Sequence, residues 1–223
     1  CYFVDPAVYT AVDNAIRYLS ANPGRSGYQM SIDTSREVYL CREKAANFFG
    51  LKDPENLLFT KSCTESINIV LQSVAENGHC IISDIEHNAV LRPLYKLQNE
   101  GRTEYSVAKV FEHDAEKTLQ SFDEAFRPDT KLVAVSGASN VFGIKLPIKE
   151  LAKMAHEHGA LFMLDAAQTA GSTEYDMERD GIDFLCAPAH KGLLGVMGLG
   201  MLGTRCPEEI EPLIYGGTGN FSL

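Results

Sequence analysis

The chain contains no run of lysines or arginines, and its 30 acidic residues against 20 basic ones leave a net charge of −10. That balance counts against a nucleic-acid backbone or an anionic membrane as partner, because both demand basic patches. No apolar stretch reaches membrane length, since Gly192–Leu202 is short and broken by glycines. A basic n-region followed by an apolar h-region is also missing, so no export signal is expected. The six cysteines, Cys1, Cys41, Cys63, Cys80, Cys186 and Cys206, form no C-x-x-C pair. Most sit in apolar or helical settings, which predicts reduced thiols in a cytoplasm and no metal site. The strand-to-helix turn at Thr60–Thr64 lacks G-x-G-x-x-G, which disfavours a dinucleotide-binding dehydrogenase.

What the chain does have is strand–helix alternation. Its 223 residues can bury roughly 70% of their unfolded surface, enough for one sizeable α/β domain. Strands are predicted at Leu57–Phe59, Cys80–Ser83, Glu104–Val110, Lys131–Ser136, Ala160–Leu164, Ile182–Cys186 and Val196–Leu202. Several are continuous apolar runs without alternation, the pattern of strands covered on both faces. Helices are predicted after the Thr60–Glu65 turn, carrying Ile67, Val70, Leu71 and Val74, over Asn88–Glu100 and Thr118–Phe126, and from Pro147 through His158. The fold class is therefore α/β, a three-layer α/β/α sandwich on a mostly parallel mixed sheet, with the last apolar strand a candidate for the antiparallel one. Ahead of it, Pro6 starts a helix with Val8, Val12, Ala15, Ile16 and Leu19 on one face. Thr34 with Glu37 fits a capping box for a second, and both helices are expected to pack on the core.

The chemistry collects at strand ends. Asp165 and Gln168 follow one buried strand, and His190 and Lys191 follow another. Ligands of open α/β sheets bind outside the carboxyl ends of strands, so an acid and a lysine from neighbouring ends can meet over one ligand. Pyridoxal phosphate uses both groups at once: an amine to hold its aldehyde, and an anion against its ring nitrogen. Asp165 as a helix cap and Lys191 as a solvated loop residue are the ordinary alternatives. The turn Thr60–Thr64 can hold a phosphate on free N–H groups, and Ser62 or Thr64 as a plain N-cap accounts for it equally well. His87, at another strand end, could stack on a flat ring or be an exposed loop histidine, and Asn140 could donate to a ring oxygen or make a turn. His156 and His158 stand two apart on a helix, point about 200° apart, and read as surface residues rather than a metal pair.

The ordered set TKSCTESINIV, EHNAV, SNVFG, LDAAQTAG, DFLCAPAHKGLLG and YGGTG resembles the cysteine desulfurases and their relatives in the class V aminotransferase branch of fold-type-I pyridoxal-phosphate enzymes, from Asn22 onward. The resemblance implies that Lys191 binds the cofactor aldehyde as a Schiff base and moves protons at the substrate's α-carbon. His87 would stack on the ring, Asp165 would pair with its nitrogen, and Gln168 and Asn140 would reach the ring oxygen. Cys63, Thr64 and His190 would hold the phosphate, and Thr218 would serve the site of a neighbouring subunit, implying a homodimer. Residues 1–30 would be an N-terminal helix and loop, and 31–223 the cofactor-binding large domain, with a C-terminal small domain outside this chain. The chain has no initiator methionine and is expected to be a piece of something longer.

Two departures matter. Pro188 stands where many relatives have a phosphate-binding serine three residues before the lysine, so phosphate contacts are expected to shift toward the glycine-rich turns. The family's persulfide-forming cysteine and its carboxylate-clamping arginine belong beyond Leu223, so none of the six cysteines is read as the sulfur carrier. The implied activity converts L-cysteine to L-alanine and passes sulfur to a cysteine persulfide, with a sulfur-acceptor protein as a further partner. Selenocysteine lyase or another class V lyase or transaminase shares the same residues. A non-catalytic cofactor-binding or dimerisation scaffold is the alternative from another class.

Overall fold

The computed structural model describes residues 4–23 and 27–215. Seven strands form one sheet: β1 (Leu57–Thr60), β2 (Gly78–Ser83), β3 (Thr103–Ala108), β4 (Thr130–Ser136), β5 (Leu161–Asp165), β6 (Phe184–Pro188) and β7 (Gly200–Thr204). Their spatial order is β1-β7-β6-β5-β4-β2-β3. β3, β2, β4, β5 and β6 pair in parallel, and β7 runs antiparallel to both β6 and β1. β1 thus points the same way as the parallel set, so its carboxyl end joins theirs on one edge of the sheet.

The strands carry apolar residues on both faces because helices cover both. Cys80, Ile82, Leu132, Ala134, Met163 and Phe184 pack under α3 (Cys63–Val74) and α4 (Asn88–Asn99). Ile81, Val133, Val135, Phe162, Leu164 and Leu185 face the other way, toward α6 (Ile148–Glu157), with Phe122 of α5 (Ala115–Asp123) and Met177 of α7 (Met177–Asp180) in the same cluster. The α/β/α sandwich and the antiparallel last strand agree with expectation. β7 begins at Gly200 rather than Val196, and α7 was not expected.

The N-terminal helices differ from the sequence reading. α1 (Pro6–Tyr18) is capped by Asp5, whose carboxylate accepts from the Ala7 N–H at 2.7 Å, but it buries no residue. Its apolar stripe faces outward, with Ile16 at 66% exposure. α2 (Gln29–Phe48) buries only Ser31, Thr34 and Ala46. Thr34 lies inside it, five residues after its start, and donates its hydroxyl to Met30 and Leu19 carbonyls, so the Thr34–Glu37 capping box does not form. Periodicity reports an amphipathic helix without reporting what covers it. His156 and His158 are exposed, as expected, and each has a partner: His156 Nε2 meets the buried Asp183 carboxylate at 2.7 Å, and His158 stacks on Phe126. No helix among the described residues is long and apolar enough to cross a membrane.

Candidate active site

Five strand ends deliver side chains to one pocket of about 170 Å³. After β1 come Ser62, Cys63 and Thr64; after β2, His87; from β4, Ser136, Ala138 and Asn140; from β5, Asp165 and Gln168; from β6, Pro188, His190 and Lys191. Eight of the nine residues predicted for the site therefore line one pocket: Cys63, Thr64, His87, Asn140, Asp165, Gln168, His190 and Lys191. The ninth, Thr218, lies outside the described residues.

Asp165 ends β5, level with Ser136 of β4 and Cys186 of β6. It is 3% exposed, and burial pushes its carboxyl above the usual carboxylate range. The Ala167 N–H at 2.9 Å and the Cys63 thiol at 3.5 Å both donate to Oδ1, partly offsetting that push. Oδ2 receives no donor from the described residues and remains the free acceptor. No helix starts at Ala166; the chain turns there, so Asp165 caps nothing.

The Cys63 thiol faces Asp165. Burial, then the Asp165 charge, raise its pKa well above the ordinary thiol value, so it is a donor and not a nucleophile. What remains for an anion is the backbone: Cys63 and Thr64 open α3, and first-turn N–H groups have no intrahelical acceptor. Ser62 caps the helix by accepting from the Glu65 N–H at 3.1 Å. Gly200 makes this geometry possible, because a Cβ there would lie 2.4 Å from the Ser62 carbonyl carbon and 2.7 Å from the Cys63 nitrogen.

His87 caps α4, its Nδ1 accepting from the Ala89 N–H at 3.1 Å. A neutral ring bonded this way carries its proton on Nε2. His190 Nδ1 is buried without a hydrogen-bond partner among the described residues. Lys191 sits in the turn after β6 and makes no ion pair within 4 Å among the described residues, although its charge acts on Asp165 and Cys63. That turn packs tightly on the one after β5, for a Cβ at Gly171 would stand 2.2 Å from the Gly192 oxygen.

Sequence reasoning missed Glu86. Its carboxylate accepts from the Ser83 hydroxyl, from the Ser136 N–H at 2.9 and 3.0 Å, and from the Ser136 hydroxyl at 2.6 Å. Burial pushes it up to about 7, against the pull of those serine donors. The acid beside His87 in D-I-E-H and a serine closing β4 were the available signals, but nothing in the sequence pairs them.

A set made of a free buried carboxylate oxygen, an amine without an ion pair, an orphaned imidazole nitrogen and unpaired helix N–H groups fits pyridoxal phosphate group by group. Comparison with known proteins gives the same direction. The family model Aminotransferase class-V matches residues 4–222. A probable cysteine desulfurase of Methanothermobacter thermautotrophicus is 34% identical over 217 residues, covering 94% of this chain and 53% of that protein. A selenocysteine lyase of Xenopus tropicalis is 31% identical, with 94% and 55% covered. Among solved structures, the apo cysteine desulfurase of Thermococcus onnurineus superposes with a TM-score of 0.87 at 28% identity, over 97% of this chain and 55% of that one. The chain spans about half the length of the curated relatives it matches.

Proposed function

Because the chain belongs to the class-V aminotransferase family, we propose that it is the cofactor-binding part of a pyridoxal-phosphate-dependent cysteine desulfurase. The observation that carries this reading is the meeting of Asp165 and Lys191, from adjacent strand ends, in the pocket that His87 also lines. Residues 31–223 would form the large domain.

Lys191 would hold the cofactor's aldehyde carbon through Nζ, and would move the proton at the substrate's α-carbon through the same nitrogen. Asp165 Oδ2 would accept from the protonated ring nitrogen, while Ala167 and Cys63 hold Oδ1 in place. The His87 ring would lie against the cofactor ring, and Asn140 and Gln168, exposed at the pocket mouth, would reach its ring oxygen. The Cys63 and Thr64 N–H groups and His190 would bind the phosphate, which gives the orphaned Nδ1 its partner. Pro188 offers no donor, so backbone carries that load. When bound, the cofactor withdraws electrons from the α-carbon and lets the substrate's C–S bond break. The sulfur of L-cysteine would pass to a thiolate elsewhere in the protein, leaving a persulfide there and L-alanine as product.

A homodimer with Thr218 reaching the neighbouring site, a sulfur-acceptor protein and a cytoplasmic location belong to the same reading. The test is to supply L-cysteine and pyridoxal phosphate and measure alanine and released sulfur. Equal amounts of both, abolished by Lys191→Ala, are expected; amino transfer to a keto acid without sulfur release would refute it. The Xenopus tropicalis relative supports selenocysteine lyase as the second reading. Turnover of selenocysteine with none of cysteine would favour it.

A further inference from the structure

From β2 the chain moves outward to β3 and then returns to place β4 on the other side of β2. α4, after β2, covers one face of the sheet, and α6, after β4 and its loop, covers the other. The carboxyl ends of β2 and β4 are therefore where the connections part, the place at which open α/β sheets form a crevice. Glu86 is half-buried in that crevice. Ser83 closes β2 and Ser136 closes β4, and the two donate to opposite oxygens of the one carboxylate, with the Ser136 N–H donating to both. Short polar side chains in a turn ordinarily bond the backbone of that turn. Glu86 instead spends most of its acceptor capacity on a residue 50 positions away. The next residue is His87, and Ser136 lines the same pocket in register with Asp165.

We propose that Glu86 is a positioning residue of this site, a carboxylate clamp across the β2–β4 crevice that fixes where His87 stands relative to Asp165. Only the identity of the ring that His87 meets rests on the pyridoxal-phosphate reading; the clamp does not. Without the clamp, the segment Asp84–His87 is tied to β4 by none of these bonds, and the Ser136 N–H loses its acceptor. Asp165, from β5, is the charged group that faces Glu86 and adds to the upward push of burial on it, and His87 adjoins it in the chain.

The experiment combines backbone amide NMR of the metal- and ligand-free protein with pyridoxal phosphate titration of wild type, Glu86→Ala, Glu86→Gln and Ser136→Ala. In wild type the Ser136 amide signal should shift with an inflection near pH 7, and in Glu86→Gln that inflection should vanish. Glu86→Ala should displace the Ala89 amide, which reports the His87 ring, and weaken cofactor binding at least tenfold, a loss that Glu86→Gln largely recovers. Ser136→Ala should move the Ala89 signal in the same direction by less, and decides the matter should Glu86→Ala not fold. An unmoved Ala89 signal with unchanged affinity, or a Ser136 amide signal unmoved by Glu86→Ala, would overturn the clamp. Failure of wild type to bind pyridoxal phosphate would instead overturn the functional reading, with the amide shifts still deciding the clamp.

Discussion

Replacing Glu86 by glutamine should make the protein's stability less sensitive to pH. The folded carboxyl is raised from 4.5 to about 7, so between those values the native state holds a proton that the unfolded chain releases. Stability then falls as pH rises through this window, and the contribution present below about pH 4.5 is lost above about pH 7. A shift of this size corresponds to about 3 kcal/mol, shared in part with Asp165 because the two acids repel. Glutamine keeps the shape without the titration. Its stability relative to wild type should therefore rise by about 3 kcal/mol from pH 4.5 to pH 8, or roughly 6 to 12 °C in Tm for a chain of this length. Thermal melts of both proteins at four pH values across the window give the answer. Parallel curves for wild type and Glu86→Gln would refute the claim that this carboxyl is desolvated in the fold.

Cys63 should react slowly with a thiol reagent at pH 8, because burial first and the Asp165 charge second hold its thiol protonated, and Asp165→Asn, which removes the second of these, should speed labelling; an unchanged rate would show that the thiol and the carboxylate do not meet. Gly200→Ala puts a Cβ into the Ser62–Cys63 backbone, and should cost about 1 to 3 kcal/mol by overpacking and weaken phosphate binding at the start of α3. Melting and inorganic phosphate titration check this, and a variant with unchanged Tm would mean that the strand end has room.

The strand–helix alternation was legible because both-face burial writes itself as apolar runs, and the strand ends were legible because their chemistry follows those runs directly. Asp165, His87 and Lys191 could be proposed as one site since topology puts carboxyl ends on one edge. Direction within the site was not legible. Whether the Cys63 thiol turns to a phosphate or to Asp165 depends on the packing of α3 against β5, which no local pattern encodes. Glu86 was invisible for a related reason, because its partner is 50 residues away and only the switch in strand order brings the two together. The outward face of α1 shows the same limit: the spacing of Val8, Val12 and Ile16 defines a stripe, and nothing in that spacing names its neighbour.

Lys191 is the residue proposed to hold pyridoxal phosphate. Incubation with the cofactor, reduction with borohydride and peptide mass spectrometry locate the attachment. A single adduct on Lys191, lost in Lys191→Ala and weakened in Asp165→Asn, is the result predicted. No adduct, or adducts spread over exposed lysines such as Lys52 and Lys153, would contradict it.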